Sequence, residues 1–302
     1  MQSIGKLSLI ADVDGMEQFV RVKFDRELLK LNQQALDPFD GKTNKDELRK
    51  EHDREFGIFS SGRRDAYWAL RSRIAKARRL IYLDGIGFGQ TGYPADPLVA
   101  STGGLTPDLL EELGDRLDKA NDLKVILCLS KFADYSDEYA SWRDEEAYLR
   151  WKAVTKLRTD SRKDRVLVFH PLAMPGRPLS LLTNLTVIDD VWALIGTSSF
   201  RRRGLTYDGG CDVVLSDNDI EAAGSKRVAE LRRMRVGGHL GLLPQSQSAW
   251  PPANWIRIQS MEGTFQAVSD LLRAGGGGLI EPLAEPRRYS FGITPSLIDP
   301  ED

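Results

Sequence analysis

The chain has 302 residues, 41% of them hydrophobic and 28% charged, with a formal net charge of −2. That length supports one large domain or two modest ones around a well-buried core, and the charge balance gives no global pull toward nucleic acid or anionic lipid. Two cysteines, Cys128 and Cys211, exclude a disulfide scaffold and a cysteine-rich zinc site, and three histidines argue against a histidine-rich metal centre. No run of about 18 apolar residues suggests a membrane span. Asp12 and Asp14 interrupt the apolar stretch after Lys6 too early for a secretory signal, so a cytoplasmic setting is expected.

Residues 1–55 alternate acidic and basic side chains with few strong apolar positions, and read as a charged, solvated extension with one or two short helices. Regular patterning begins near Phe56. Tyr67, Leu70, Ile74 and Ala77 recur at helical spacing, and LIYL (80–83) follows as a buried strand. After a glycine-rich loop, Thr106 is placed to cap a helix opening on Pro107 and Asp108, with Leu109, Leu110, Leu113 and Leu117 facing inward. LKVILCL (123–129) has the unbroken apolar run of a central strand covered on both faces. A helix is predicted over about 136–157, then the strand VLVFH (166–170). Residues 181–196 read as two strands joined at Asp189-Asp190, and CDVVL (211–215) as another. Helices are predicted at 225–235 and 263–273, separated by a loop in which Trp250 and Trp255 flank Pro251-Pro252. Alternating helices and strands imply an α/β sandwich.

The loop GIGFGQTG contains Gly87-x-Gly89-x-x-Gly92, a formal match to the dinucleotide fingerprint. That fingerprint requires a helix to start at its last glycine, so that amide groups meet the pyrophosphate. Here YPADPLVASTGG follows and breaks any helix, so the loop reads as structural and no cofactor is expected. The Asp189-Asp190 pair fits a hairpin turn better than a metal site. Cys128, within an apolar strand, reads as an inert thiol.

The segment GRPLSLLTNLTVIDDVWALIGTSSFRRRGLTYDGGCDVVLSD (176–217) resembles the second conserved block of the phospholipase D superfamily. That block runs His-x-Lys, four residues, Asp, a Gly-Ser-x-Asn turn and a later acidic position. VIDDVWALIG (187–196) fits its strand, Asp-Asp turn and second strand, and GTSS (196–199) stands where Gly-Ser-x-Asn belongs. FSSGRRDAYWALRSRIAKARRLIYLDGIGF resembles the opening helix and strand of one lobe, and LRRMRVGGHLGL (231–242) its helix ending in His-Leu-Gly. The resemblance covers about residues 56–243, a single lobe, and leaves 244–302 as a C-terminal cap. It implies a phospholipase D-like sandwich with a mixed central sheet.

The departures bear on chemistry. In the family, a histidine attacks phosphorus and forms a covalent intermediate, while lysine and asparagine hold the phosphate oxygens. Aligned on Asp189 and Gly196, Leu182 stands at the histidine, Asn184 at the lysine, Thr197 at the serine, Ser199 at the asparagine and Gly210 at the acidic position. Leu182 has no lone pair. Asn184 donates hydrogen bonds but carries no charge. One such loss typically costs a factor of about 10² or more, and losing the nucleophile leaves the others nothing to assist. His52 lies in a charged run, His239 at the structural His-Leu-Gly position, and His170 at the end of a strand, where a rescue role is conceivable. No His-x-Lys pair exists in the sequence. Arg201, Arg202 and Arg203, with His170, are candidates for phosphate or partner binding, or for pairing with Asp208 or Asp212. The resemblance implies that Asp189 supports the site's hydrogen bonds.

A catalytically silent subunit is therefore expected, associating with itself or a related chain across the vestigial face. The alternatives are the supporting half of a phosphodiesterase whose partner supplies His-x-Lys, and a nucleic-acid-binding module, which the acidic balance disfavours.

Overall fold

In the computed structural model, which describes residues 6–11, 64–92, 106–132, 139–206, 210–216, 220–221, 224–242, 253–277, 279–286 and 298, strand alternation splits the apolar residues between two faces of one sheet. In chain order the elements are β1 (Lys6–Ala11), α1 (Asp65–Ile74), β2 (Leu80–Gly85), α2 (Leu109–Lys119), β3 (Lys124–Leu129), α3 (Ala140–Leu157), β4 (Val166–Met174), β5 (Arg177–Pro178), β6 (Asn184–Ile188), β7 (Trp192–Gly196), α4 (Arg202–Thr206), β8 (Cys211–Ser216), β9 (Ile220–Glu221), β10 (Gly224–Ser225), α5 (Lys226–His239), α6 (Ala253–Arg257), α7 (Met261–Arg273) and β11 (Ile280–Pro282). The main sheet runs β1-β8-β7-β6-β2-β3-β4-β11, with β5 against β4. β2, β3 and β4 are mutually parallel, and the other pairs are antiparallel, so the central sheet is mixed as expected.

Side chains at successive strand positions point to opposite faces. Ile81, Leu83, Val125, Leu127 and Val168 pack with Tyr67 and Leu70 of α1, Leu113 and Leu117 of α2, and Val154 of α3. Leu80, Tyr82, Ile126, Cys128 and Phe169 face Val228 and Val236 of α5 and Met261, Phe265 and Val268 of α7. The result is an α/β sandwich with helices on both sides. Among the described residues, no helix is long and apolar enough to cross a membrane.

Three local readings change. Residues 6–11, placed by sequence in the solvated extension, form edge strand β1, paired with β8 from Lys6↔Ser216 to Ala11↔Cys211; KLSLIA has the polar–apolar alternation of a half-buried strand. The cap of α2 is Asp108 rather than Thr106: its Oδ1 accepts from Leu110 N at 3.1 Å and from Thr91 N at 2.9 Å. The 225–235 helix continues to His239. The rest of the 1–55 extension, His52, Asp208 and Trp250 lie outside the described residues.

The β6–β7 hairpin turns through Asp189 and Asp190, at φ 54° and 55°. Two consecutive positive φ values define the turn type that suits hairpin twist, and without glycine they carry strain. Both carboxylates offset it. Asp189 accepts from the backbone N–H groups of Arg78, Arg79 and Leu80 at 2.8, 2.8 and 2.9 Å. Asp190 takes a bidentate pair from Arg232 of α5, at 2.7 Å from Nε and 2.8 Å from Nη2, and both side chains are buried. Arg232 also donates to Ile258 O at 3.0 Å and to Thr264, tying α5 to the start of α7.

Removing one partner of a buried pair leaves an uncompensated charge and costs about 3–5 kcal/mol. Arg232→Met is expected to lower the unfolding free energy by about that much in urea titration. Adding Asp190→Asn should recover most of the loss. A single variant within about 1 kcal/mol of wild type would contradict the assigned role.

Candidate functional site

The C-terminal ends of β2 and β3, the start of β6 and the end of β7 meet at one edge of the sheet, with Gly85 opposite Leu129 and Asn184 opposite Gly196. Asn184 spans the gap between them. Its Oδ1 accepts from Ile86 N at 3.2 Å, and its Nδ2 donates to Thr197 O at 2.9 Å. The amide sits so close over Gly85 that a β-carbon there would collide with Oδ1. Each end of the Asn184 side chain thus bonds to backbone.

The other motif positions are also turned to structure. Thr197 Oγ1 accepts from Cys211 N at 2.9 Å, fastening the loop after β7 to β8. Ser198 donates its hydroxyl to Asp212 Oδ2 and its N–H to Oδ1 at 3.2 Å. Ser199 is buried, with its Oγ against Gly204, where a β-carbon has no room. Gly210 is half-buried just before β8. Leu182 precedes β6 and is 73% exposed, so it floors no pocket. β6 begins at Asn184, so Leu182 lies ahead of the strand.

Asp189 does not support these groups. It lies at the opposite end of β6, roughly 17 Å along the strand at about 3.4 Å per residue, where it holds the turn. The buried acid near the motif is instead Asp212, two residues past Gly210, its carboxyl pushed up by burial and held down in part by Ser198. From the sequence alone, Asp212 reads only as a counterion for the arginines.

The arginines take other partners. Arg201 pairs with Glu146 of α3 at 2.8 Å, not with Asp212. Arg202 is buried, its Nε donating to Gly92 O and its N–H to Gln90 O at 2.6 Å. Arg203 is half-buried on α4. Sequence reasoning missed Arg150, a buried guanidinium on α3 that donates to Ile86 O at 3.2 Å and Lys131 O at 2.8 Å. Burial pulls its pKa down to about 10, although Glu146 opposes this.

No imidazole of the described residues is offered as a nucleophile here. His170 is buried on β4, and its Nδ1 donates to Leu129 O at 2.8 Å. His239 lies against the second sheet face, with Nε2 2.9 Å from Asp84 Oδ2. Asp84, Cys128 and His239 bring ligand-type atoms within 4.8 Å of one another. Arg235 already neutralises Asp84, from Nε at 3.0 Å and Nη2 at 2.9 Å, and burial pushes the Cys128 thiol far up. A protonated thiol beside a neutralised carboxylate does not fit a metal.

Burial lowers the pKa of His170 from 6.5 to about 4. The unfolded chain therefore binds this proton at a higher pH than the fold does, and stability is complete above pH 6.5 and drains as pH falls toward 4. Asp212, shifted upward, works in the opposite sense below its folded pKa. Urea unfolding across this range should show wild type losing up to about 3 kcal/mol more than His170→Asn. Parallel pH profiles for the two proteins would refute the buried neutral imidazole.

No family model matches the sequence, and no curated protein matches it. Solved structures do. Nuc from Salmonella typhimurium, a phospholipase D family member, is 12% identical with a TM-score of 0.36, covering 56% of this chain and 83% of its own. NucT from Helicobacter pylori is 13% identical with a TM-score of 0.33, covering 57% and 85%. A phosphatidylserine synthase from Haemophilus influenzae is 10% identical with a TM-score of 0.38, covering 68% of this chain and 42% of its own. Over that share of its length, the chain is similar in structure to a phospholipase D family member.

Proposed function

We propose that this chain is a phospholipase D-like lobe without phosphoryl-transfer machinery, working as a binding subunit that associates with a second copy across its vestigial face. The observation that carries this is the Asn184 amide, an uncharged group bonded to backbone through both its oxygen and its nitrogen, at the place a phosphate-holding lysine would occupy. A neutral amide held in this way brings no positive charge to phosphate oxygens as charge develops on them.

The association half rests on what crowns the same edge. Leu181 N donates to Ser130 Oγ at 2.8 Å, joining the chain before β6 to the loop after β3. Leu182 and Phe132, one and two residues from that bond, are 73% and 48% exposed. Burying a large apolar side chain contributes about 1.5–3 kcal/mol. Paired across a two-fold axis, each contact counts twice.

Sedimentation equilibrium at micromolar concentration should give a dimer, and Leu182→Asp should shift it toward monomer by at least about tenfold in Kd, as expected for about 1.4 kcal/mol or more. A wild-type monomer at high micromolar concentration would end the association reading. The same preparation should not hydrolyse bis(p-nitrophenyl) phosphate. Hydrolysis by this chain alone would overturn the loss of chemistry. Hydrolysis appearing only when a related His-x-Lys chain is added would favour a supporting half of a composite enzyme.

A further inference from the structure

A cavity of about 190 Å³ lies between α3, residues Phe88–Gln90 and Arg201-Arg202. None of Leu182, Asn184, Thr197 or Ser199 lines it. Its wall holds five cationic side chains and one carboxylate, Glu146. Two of the cations are paired, Arg201 with Glu146 at 2.8 Å and Lys156 with Glu111 at 2.7 Å. Lys152 is exposed at the rim, has no carboxylate partner among the described residues, and lies 5.9 Å from the Tyr148 ring.

Arg150 forms part of the wall and is buried, and its terminal nitrogens end on two backbone carbonyls. Carbonyls accept hydrogen bonds but carry no net charge, so the wall stays electropositive in a setting where water screens poorly. The remaining lining is apolar: Phe88, Leu149, Ala153 and Ile298. Phe88 is held by stacking on Phe200, with centroids 5.2 Å apart.

We propose that this cavity binds a small phosphate monoester, its phosphate on the side of Lys152 and Arg150 and its organic group against Phe88, Leu149 and Ala153. Arg150 and Lys152, neither in an ion pair with a carboxylate among the described residues, together favour a dianion over a monoanion. A phosphate monoester carries about −1.5 to −2 at pH 7 and three strong acceptor oxygens. The apolar wall separates a monoester from free phosphate, which leaves that surface wet. The site stands apart from the association face and does not depend on it.

Isothermal titration of the full chain with phenyl phosphate, inorganic phosphate and benzoate tests the assignment. Phenyl phosphate should bind tightest. Lys152→Glu, an exposed change that leaves the thermal midpoint in place, should weaken phenyl phosphate by about tenfold or more. Leu182→Asp should leave its affinity unchanged. No binding of phenyl phosphate at millimolar concentration, equal affinity for benzoate, or indifference to Lys152→Glu would overturn the proposal. A loss of binding in Leu182→Asp would do the same, by moving the ligand to the vestigial strand ends.

Discussion

One helix face holds the two halves of this molecule together by charge. Arg232, Arg235 and His239 of α5 are spaced i, i+3 and i+7, which places them along one stripe. Arg232 clamps Asp190 in the β6–β7 turn, while Arg235 and His239 meet Asp84 near the end of β2. The stripe therefore grips both ends of the central sheet from its second face. Tyr82 adds a fourth donor to Asp84, its hydroxyl 2.9 Å from Oδ2. Buried charges of this kind are weak as a net source of stability, because desolvation offsets much of the attraction. They are strongly directional, and a sliding register of α5 against the sheet would strand several of them at once.

The same clamp explains a turn that is otherwise unfavourable. Asp-Asp is a poor choice for two consecutive left-handed residues, where Asn-Gly or Asp-Gly is usual. Here each aspartate is worth more than a glycine. Asp189 collects three N–H groups at the entry to β2, and Asp190 receives Arg232. Local strain at two residues is offset by five hydrogen bonds to charged groups, each stronger than a neutral one. The turn thereby pins β6 beside β2 in antiparallel register, Ile81 opposite Ile188, and this register sets Asn184 above Gly85.

The sheet was legible from the sequence because its strands are short apolar runs with clear boundaries, and α2 because its leucines keep helical period. The charged interior was not. α3 buries Glu145, Glu146 and Arg150, and α5 buries Arg232 and His239. Hydrophobic periodicity treats those residues as the solvent side, so it points the wrong face inward. Glu146 as the counterion of Arg201 was hidden for the same reason, since the two are distant in sequence and neither sits on an apolar stripe. Motif alignment singled out Asn184, Thr197 and Ser199. It could not say what their side chains touch, and it assigned to Gly210 a role whose nearest chemical counterpart in space is Asp212.

The clasp at 184 needs an amide and could not be made by a charged residue. A lysine has three donors and no acceptor, so it could serve Thr197 O but would leave Ile86 N without its partner. The loop after β2 would then lose its bond to β6, while Phe88 keeps its bridge to Phe200. Placing histidine at 182 alone would add an imidazole at an exposed position ahead of the strand, with no packing to orient it. This edge is therefore held by backbone bonds that a single replacement at 184 would break, and its chemistry is coupled to its shape.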